Sequence, residues 1–219
     1  TFAQMIRRIL SLVPELPRLR LSSIDVAEID DDLFDLMAHH QRLMPHFHIS
    51  LQAGDDMILK RMKRRHLRKQ IVDFCSKLKE ARPITSFGAD IIAGFPTETD
   101  EMFENTRKLI SEVGLQYLHV FPYSAREGTP AARMPQVPLK IRKERAAILR
   151  EEGLKQQNIF FESSKGSVAN VLVESNNIGH TENFIPVKLD SELLIEAGEV
   201  IPLVLKSIEG ERMISEIIE

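Results

Sequence analysis

Apolar positions in the first two-thirds of the chain alternate between two periods. Phe2, Met5, Ile6 and Ile9 stand at i, i+3, i+4 and i+7, one face of a helix, so the sequence begins inside an element. After Pro14 and Pro17, the run Leu19 to Ile24 reads as a buried strand ending at Ser22-Ser23. Helical spacing returns at Leu33, Leu36, Met37 and His40, and Pro45 is expected to close that segment. A second strand, His46 to Leu51, leads into Gln52-Ala53-Gly54, and a helix restarts near Asp55. Ile71, Phe74, Cys75 and Leu78 form the stripe of another helix. A third strand, Thr85 to Ala93, is punctuated by Gly94-Phe95-Pro96. Thr97 or Thr99 then caps a helix that carries Phe103 and Ile110 and stops at Gly114. Tyr117 to Tyr123 is the fourth strand, followed by a Gly- and Pro-containing loop and a long charged helix near 139–158.

Strand–helix alternation at this spacing predicts an α/β architecture of parallel βαβ units, as a barrel or an open sheet. The alternation ends near residue 160. Beyond it, β-rich runs at Val168–Glu174, Phe184–Leu189, Val200–Ile208 and Met213–Ile218 predict a small antiparallel β-barrel. Charge changes at the same place. Residues 160–219 hold 4 Lys and Arg against 11 Asp and Glu, a net of −7, whereas residues 1–159 hold 25 against 21, a net of +4. Two domains, 1–159 and 160–219, are the economical reading.

No stretch approaches the ~20 apolar residues of a membrane span, and no segment has the make-up of a signal peptide, so a cytoplasmic protein without a membrane partner is expected. A net charge of −3 argues against attraction of the whole molecule to nucleic acid, DNA included. The chain has a single cysteine, Cys75. One thiol excludes a disulfide scaffold, a Cys-rich zinc site and an iron–sulfur cluster held by this chain alone.

In parallel α/β folds, ligands bind at the carboxyl ends of the strands, where loops and helix N-termini converge. The four strand ends here are Ser22-Ser23, Gln52-Ala53-Gly54-Asp55, Gly94-Phe95-Pro96-Thr97-Glu98, and Pro122-Tyr123-Ser124-Ala125-Arg126-Glu127-Gly128-Thr129. Each joins small residues, which admit close backbone approach, to polar groups able to bond a ribose or a carboxylate. Any one of these loops is explained by glycines and prolines that end strands, but four together favour a site. Gln52-Ala53-Gly54 precedes a helix whose N-terminus would face an anion, and Arg126 is a natural clamp for a carboxylate. Tyr123 and Phe121 suit stacking on a planar base, although the core is the commoner role for an aromatic in mid-strand such as Phe121.

Seven of the ten residues from Lys60 to Lys69 are Lys or Arg, among them Arg61, Arg64 and Arg65. The run suits phosphate contact or a solvated helix junction, and lacks aromatics for base stacking. His39-His40, His46 and His48 invite a metal reading, since residues 46 and 48 share one strand face. No third ligand has a sequence reason to be near, so core or surface roles are favoured and no metal site is assigned. Cys75, in an apolar stripe without a CxxC companion, reads as a small buried hydrophobe. No GxSxG elbow and no phosphate-binding GxGxxG or GxxxxGK[ST] occurs.

The segments Arg18 to Ile24, His48 to Asp56 with Leu59 to Met62, Asp90 to Thr99, and His119 to Ser124 with Arg126 to Ala131 together resemble the radical SAM methylthiotransferases. Gly179 to Phe184 with Pro186-Val187 is similar to the RNA-binding TRAM domain that these enzymes carry. Ser22-Ser23-Ile24 and the Pro122-Tyr123-Ser124 loop look most like the branch acting on threonylcarbamoyladenosine beside the tRNA anticodon. The isopentenyladenosine-tRNA and ribosomal-protein branches share most of the same loops.

The resemblance implies insertion of a methylthio group into an unactivated C–H bond, with S-adenosylmethionine and four-iron four-sulfur clusters as cofactors and tRNA as partner. It implies the last four strands of a six-stranded partial barrel, followed by an OB-like TRAM barrel. Asp90, Ile92, Gly94 and Pro96 would pack along the adenine, and Ser22, Ser23 and Gln52, Ala53 and Gly54 would serve the amino-acid or ribose part. Phe121 and Tyr123 complete the cofactor set, Arg126 and Thr129 belong to the loop near cofactor and target base, and Thr181 and Asn183 fall in the RNA-binding segment. The family's CxxxCxxC motif and its further cysteines are absent, so the chain is expected to be an enzyme fragment that holds no cluster and has no catalytic residue of its own. A non-catalytic RNA-binding protein is the alternative. Nothing in the sequence fixes an oligomeric state.

Overall fold

The computed structural model describes residues 1–174, 177–189 and 195–218. Helix α1 (Phe2–Leu12) opens on a capping box, in which Thr1 accepts from the Gln4 N–H and the Gln4 side chain accepts from the Thr1 amine. There follow β1 (Leu19–Ile24), α2 (Asp31–His39), β2 (Leu43–Gln52), α3 (Asp56–Arg61), α4 (Arg68–Ala81), β3 (Ser86–Ala93), α5 (Asp100–Val113) and β4 (Tyr117–Pro122). The strands pair in sequence order, all parallel. Strand period puts Phe87, Ala89, Ile91 and Ala93 on the face packed by helices, in one core with Ile6, Leu36, Phe47 and Leu109. The opposite face carries His46, His48 and Gln52 from β2, Ser86, Asp90 and Ile92 from β3, and Tyr117, His119 and Phe121 from β4.

Pro45 does not end α2. That helix stops at His39, where the His40 N–H still reaches Leu36 O, and Pro45 lies inside β2. The proline is tolerated because β2 begins to pair with β3 only at His46 and its pairing with β1 is irregular there. Of the two candidate caps, Thr99 caps α5 through the Met102 N–H, and Gly114 ends it in the left-handed conformation at φ 66°.

Helix α6 (Leu139–Ser164) runs unbroken past residue 160 and enters both cores. Ala146 and Leu149 pack on the sheet, Gly153 lies where a Cβ would come within 2.7 Å of Leu118 Cδ1, and Phe161 is fully buried in the second core. That core is enclosed by β5 (Val168–Val173), β6 (Ile178–His180), β7 (Pro186–Lys188), β8 (Val200–Glu209) and β9 (Arg212–Ile217), closed in the order β5-β6-β7-β9-β8. The barrel is mixed and not wholly antiparallel, because β7 and β9 pair in parallel. The sequence pattern missed the short strand β6. With it the ring has five members, and a closed ring with an odd number of strands cannot alternate direction throughout.

The turn between β6 and β7 is seated on the open face of the sheet, at the end from which β2 and β3 start. Arg20 donates to the carbonyls of Thr181 (2.7 Å) and Glu182 (2.9 Å), and Ser86 Oγ donates to Asn183 O (2.6 Å). Phe184 is stacked between the rings of His46 and His180, each with its centroid 4.6 Å away, with the Arg20 guanidinium 5.0 Å from its own. Burial pushes Arg20 down to about 10 and holds the His46 imidazole neutral, at about 3.

Candidate active site

A cavity of about 610 Å³ lies at the carboxyl ends of β2, β3 and β4. Gln52, Asp90, Ile92, Phe121, Tyr123, Arg126 and Thr129 line it, with Pro122, Ser124 and Ala131. Its lining is mainly apolar with a few polar groups, the make-up of small-molecule sites, and it lies where ligands bind in open α/β sheets. Gln52 ends β2 at φ 67°, and the next strand end carries positive φ at Gly94 (72°) and Thr97 (66°). Left-handed backbone at Gln52 and Thr97 is strained for side chains of that kind, and among the described non-glycine residues it recurs at Lys63, Asn177 and Phe184.

A second cavity, about 500 Å³, adjoins the first and shares Gln52, Ile92, Thr129 and Ala131 with it. Arg61, Met62, Lys63 and Arg64 form its far wall. The basic run therefore reaches the same end of the sheet as the main cavity. Much of its charge is already paired: Arg64 with Asp25 (3.2 Å) and Ser50 O (2.8 Å), Arg65 with Glu28, and Arg68 with Glu112. Arg61 donates to Thr97 O (3.3 Å), whereas Lys60 and Lys63 are exposed and make no ion pair among the described residues. Charge counting alone overstated the free cations.

Other expected residues serve the framework around the cavity. Ala53 is fully buried with Ile58, Leu59 and Phe95. The Gly54 N–H donates to Thr106 Oγ1 (3.0 Å), and a Cβ there would stand 2.7 Å from Thr106 Cα. The close approach Gly54 permits is to α5, and the helix α3 that it precedes has no free N-terminus to offer, because Asp55 accepts the Met57 and Ile58 N–H groups. Gly94 and Pro96 are likewise buried, and Ser22 and Ser23 line a separate cavity of about 370 Å³ at the β1 edge. Thr181 is wholly buried, bonded to Asn183 and to the Ile185 N–H, and Asn183 bonds Ile84 O, so both are engaged in the seam between sheet and barrel.

Sequence reasoning missed the residues that hold the Gly94–Glu98 loop. Arg145, buried on α6, donates to Glu98 Oε2 (2.6 Å), Glu98 O (3.0 Å) and Asp100 Oδ1 (2.6 Å). Burial raises the Glu98 carboxyl, against the pull of Arg145 and of the Gly94 N–H at 3.0 Å. One turn earlier, Arg142 donates to Tyr123 O (3.0 Å), and a Cβ on Gly94 would meet its side chain at 2.6 Å. Together these arginines fasten two of the strand-end loops to one helix. The histidine pair at 46 and 48 does not act as a unit: His46 bonds Ser86 Oγ (2.8 Å), whereas His48 bonds Asp90 (3.0 Å), which also meets His119 (3.2 Å).

Residues 2–110 match the family model described as the radical SAM superfamily. The chain belongs to the radical SAM superfamily. It is 68% identical to the threonylcarbamoyladenosine tRNA methylthiotransferase MtaB of Rickettsia prowazekii (strain Madrid E), over 95% of this chain and 49% of that protein. It is 40% identical to the protein of the same description from Aquifex aeolicus (strain VF5), over 78% of this chain and 42% of that one. A tRNA-2-methylthio-N(6)-dimethylallyladenosine synthase of Rickettsia felis is 42% identical over 76% of this chain and 38% of its own length. The chain thus spans about half the length of the curated relatives it matches. Among solved structures, the radical SAM enzyme coproporphyrinogen III oxidase of Escherichia coli matches at a TM-score of 0.52 and 25% identity, over 69% of this chain and 37% of that one.

Radical SAM enzymes use S-adenosylmethionine and a four-iron four-sulfur cluster. The residues lining the cavity suit the first: Ile92 and Phe121, side by side on β3 and β4, present an apolar surface of the kind a planar base packs on, and Arg126 is a permanent cation of the kind that pairs with a carboxylate. The chain does not fit the second. Its one thiol, Cys75, is buried on the helix-packed side of the sheet, where burial pushes it up to about 12.

Proposed function

We propose that this chain is the sheet-and-barrel portion of a tRNA methylthiotransferase, acting on threonylcarbamoyladenosine beside the anticodon. The observation that carries the reading is the strand-end cavity, in a chain 68% identical over nearly its whole length to a relative described by that activity. S-adenosylmethionine, bound with its cluster, supplies radical chemistry able to break an unactivated C–H bond. The residues of this chain bind and orient. Ile92 and Phe121, paired on β3 and β4, offer one apolar surface to the adenine, Gln52 and Asp90 take ribose hydroxyls, and Arg126 with Thr129 closes over the cofactor and the incoming base. Arg145 and Arg142 hold two of the loops in that geometry through Glu98 O and Tyr123 O.

The second cavity gives the tRNA a place to approach, with Arg61, Lys63 and Arg64 along the phosphate backbone. The five-stranded barrel reads as a TRAM domain. At net −7 its part is to position RNA through a local face while its β6–β7 turn braces the sheet. Residues 1–159 and 160–219 are proposed as the two domains, joined within α6.

Mass spectrometry of tRNA nucleosides from cells lacking the gene tests the assignment. Loss of the methylthio group from threonylcarbamoyladenosine, with the methylthio form of isopentenyladenosine retained, is the expected result. The reverse pattern would place the protein in the dimethylallyladenosine branch, which the 42% identity to such a synthase keeps as the second reading.

A further inference from the structure

Below the cavity, on the same open face, three neighbouring strands bring together His48 from β2, Asp90 from β3 and His119 from β4. Asp90 Oδ1 lies 3.0 Å from His48 Nε2 and 3.2 Å from His119 Nδ1, and the three ligand atoms are all within 4.8 Å of one another. The two imidazole centroids are 4.9 Å apart. Around a tetrahedral zinc ion with bonds of about 2.0–2.1 Å, ligand atoms stand roughly 3.3 Å apart, so small side-chain rotations would admit an ion.

The backbone is adapted to this grouping. Gly88 sits in the middle of β3, a position unfavourable for glycine, paired with His48 on β2. A Cβ at Gly88 would come within 2.5 Å of His48 Nδ1 and 3.1 Å of Tyr117 O, so the ring occupies the space a side chain would fill. Asp90 and His119 are direct partners in the β3–β4 register, which fixes the spacing of their Cα atoms. His119 is 65% exposed and Asp90 27%, and Asp90 also borders the main cavity. An ion here would keep an open coordination position toward that cavity, as metal sites with three protein ligands do.

We propose that His48, Asp90 and His119 form a mononuclear site for a divalent transition-metal ion of the zinc class. Two imidazoles and one carboxylate suit such an ion, with each imidazole turning its lone pair inward when its ring proton moves to the outer nitrogen. The site is separate from any cluster chemistry, since it contains no thiolate.

The test uses the whole chain, stripped with chelator and titrated with Zn²⁺ by calorimetry and with Co²⁺ by visible absorption. One ion per chain is expected, with a cobalt d–d band that Zn²⁺ abolishes. His119→Ala alters an exposed side chain and should lose the band with near-ultraviolet circular dichroism unchanged. Gly88→Ala should weaken binding at least tenfold without removing a ligand, and His39→Ala, at an exposed position elsewhere, should bind as wild type. Absence of stoichiometric binding, undiminished binding by His119→Ala, or equal loss in His39→Ala would overturn the site, leaving Asp90 as a hydrogen-bond acceptor for two imidazoles.

Discussion

Arg145 and Glu98 are an ion pair almost sealed from water, with side chains 7% and 2% exposed. Removing one partner strands the other charge in the interior, at a cost of about 3–5 kcal/mol. Arg145→Met should therefore lose stability of that order in urea unfolding. Glu98→Gln/Arg145→Met should lose much less than the two single losses combined, because neither charge is then left alone. The pair was not legible in the sequence, where Arg145 is one of many charges on a long polar helix, and only the packing of α6 on the sheet shows that it faces inward. Cys75 was legible, since its place in an apolar stripe dictated burial. With the thiol pushed up to about 12, it should stay inert to a disulfide reagent in the native protein and react at once in denaturant; rapid native labelling would refute its placement.

At the scale of elements, hydrophobic period located the strands and helices of the sheet well, because parallel strands buried beneath helices are apolar runs and helices are amphipathic stripes. It failed where local chemistry was overridden. Pro45 signalled a helix end but sits in a strand, at a point where its missing N–H is not needed by β3. Three-residue β6 is too short for a period to register, and its absence turned a mixed barrel into an expected antiparallel one. The charged pattern of α6 predicts an end near 158, whereas the helix continues to Ser164 and carries Phe161 into the barrel core. Phe161→Ala should cost about 3–5 kcal/mol, as deletion of a buried phenyl does. Hydrogen exchange should report the loss in β5 and β8 more than in β2 and β3; equal loosening of the sheet would contradict two separable cores joined by one helix.

On the scale of the molecule, the sheet presents one face to its helices and the other to function, and that open face is graded from end to end. The barrel turn with Phe184 closes one end, the His48–Asp90–His119 group lies in the middle, and the cavity opens at the other. Of the expected cofactor residues, Gln52, Asp90, Ile92, Phe121, Tyr123 and Arg126 meet at the cavity, because strand ends in a parallel sheet must converge. Ala53, Gly54, Gly94 and Pro96 were equally visible as strand-end residues, but Gly54 and Gly94 give room to α5 and α6, Ala53 is buried with Ile58 and Leu59, and Pro96 is buried, a distinction that depends on helix positions no motif encodes. The proposed chemistry takes place at this cavity, with Arg126 closing it. Its most direct test is nucleoside mass spectrometry of tRNA from cells whose only copy of the gene carries Arg126→Ala, at matched protein level. At least a tenfold fall in methylthiolated threonylcarbamoyladenosine is expected, and a level equal to wild type would remove Arg126 from the site.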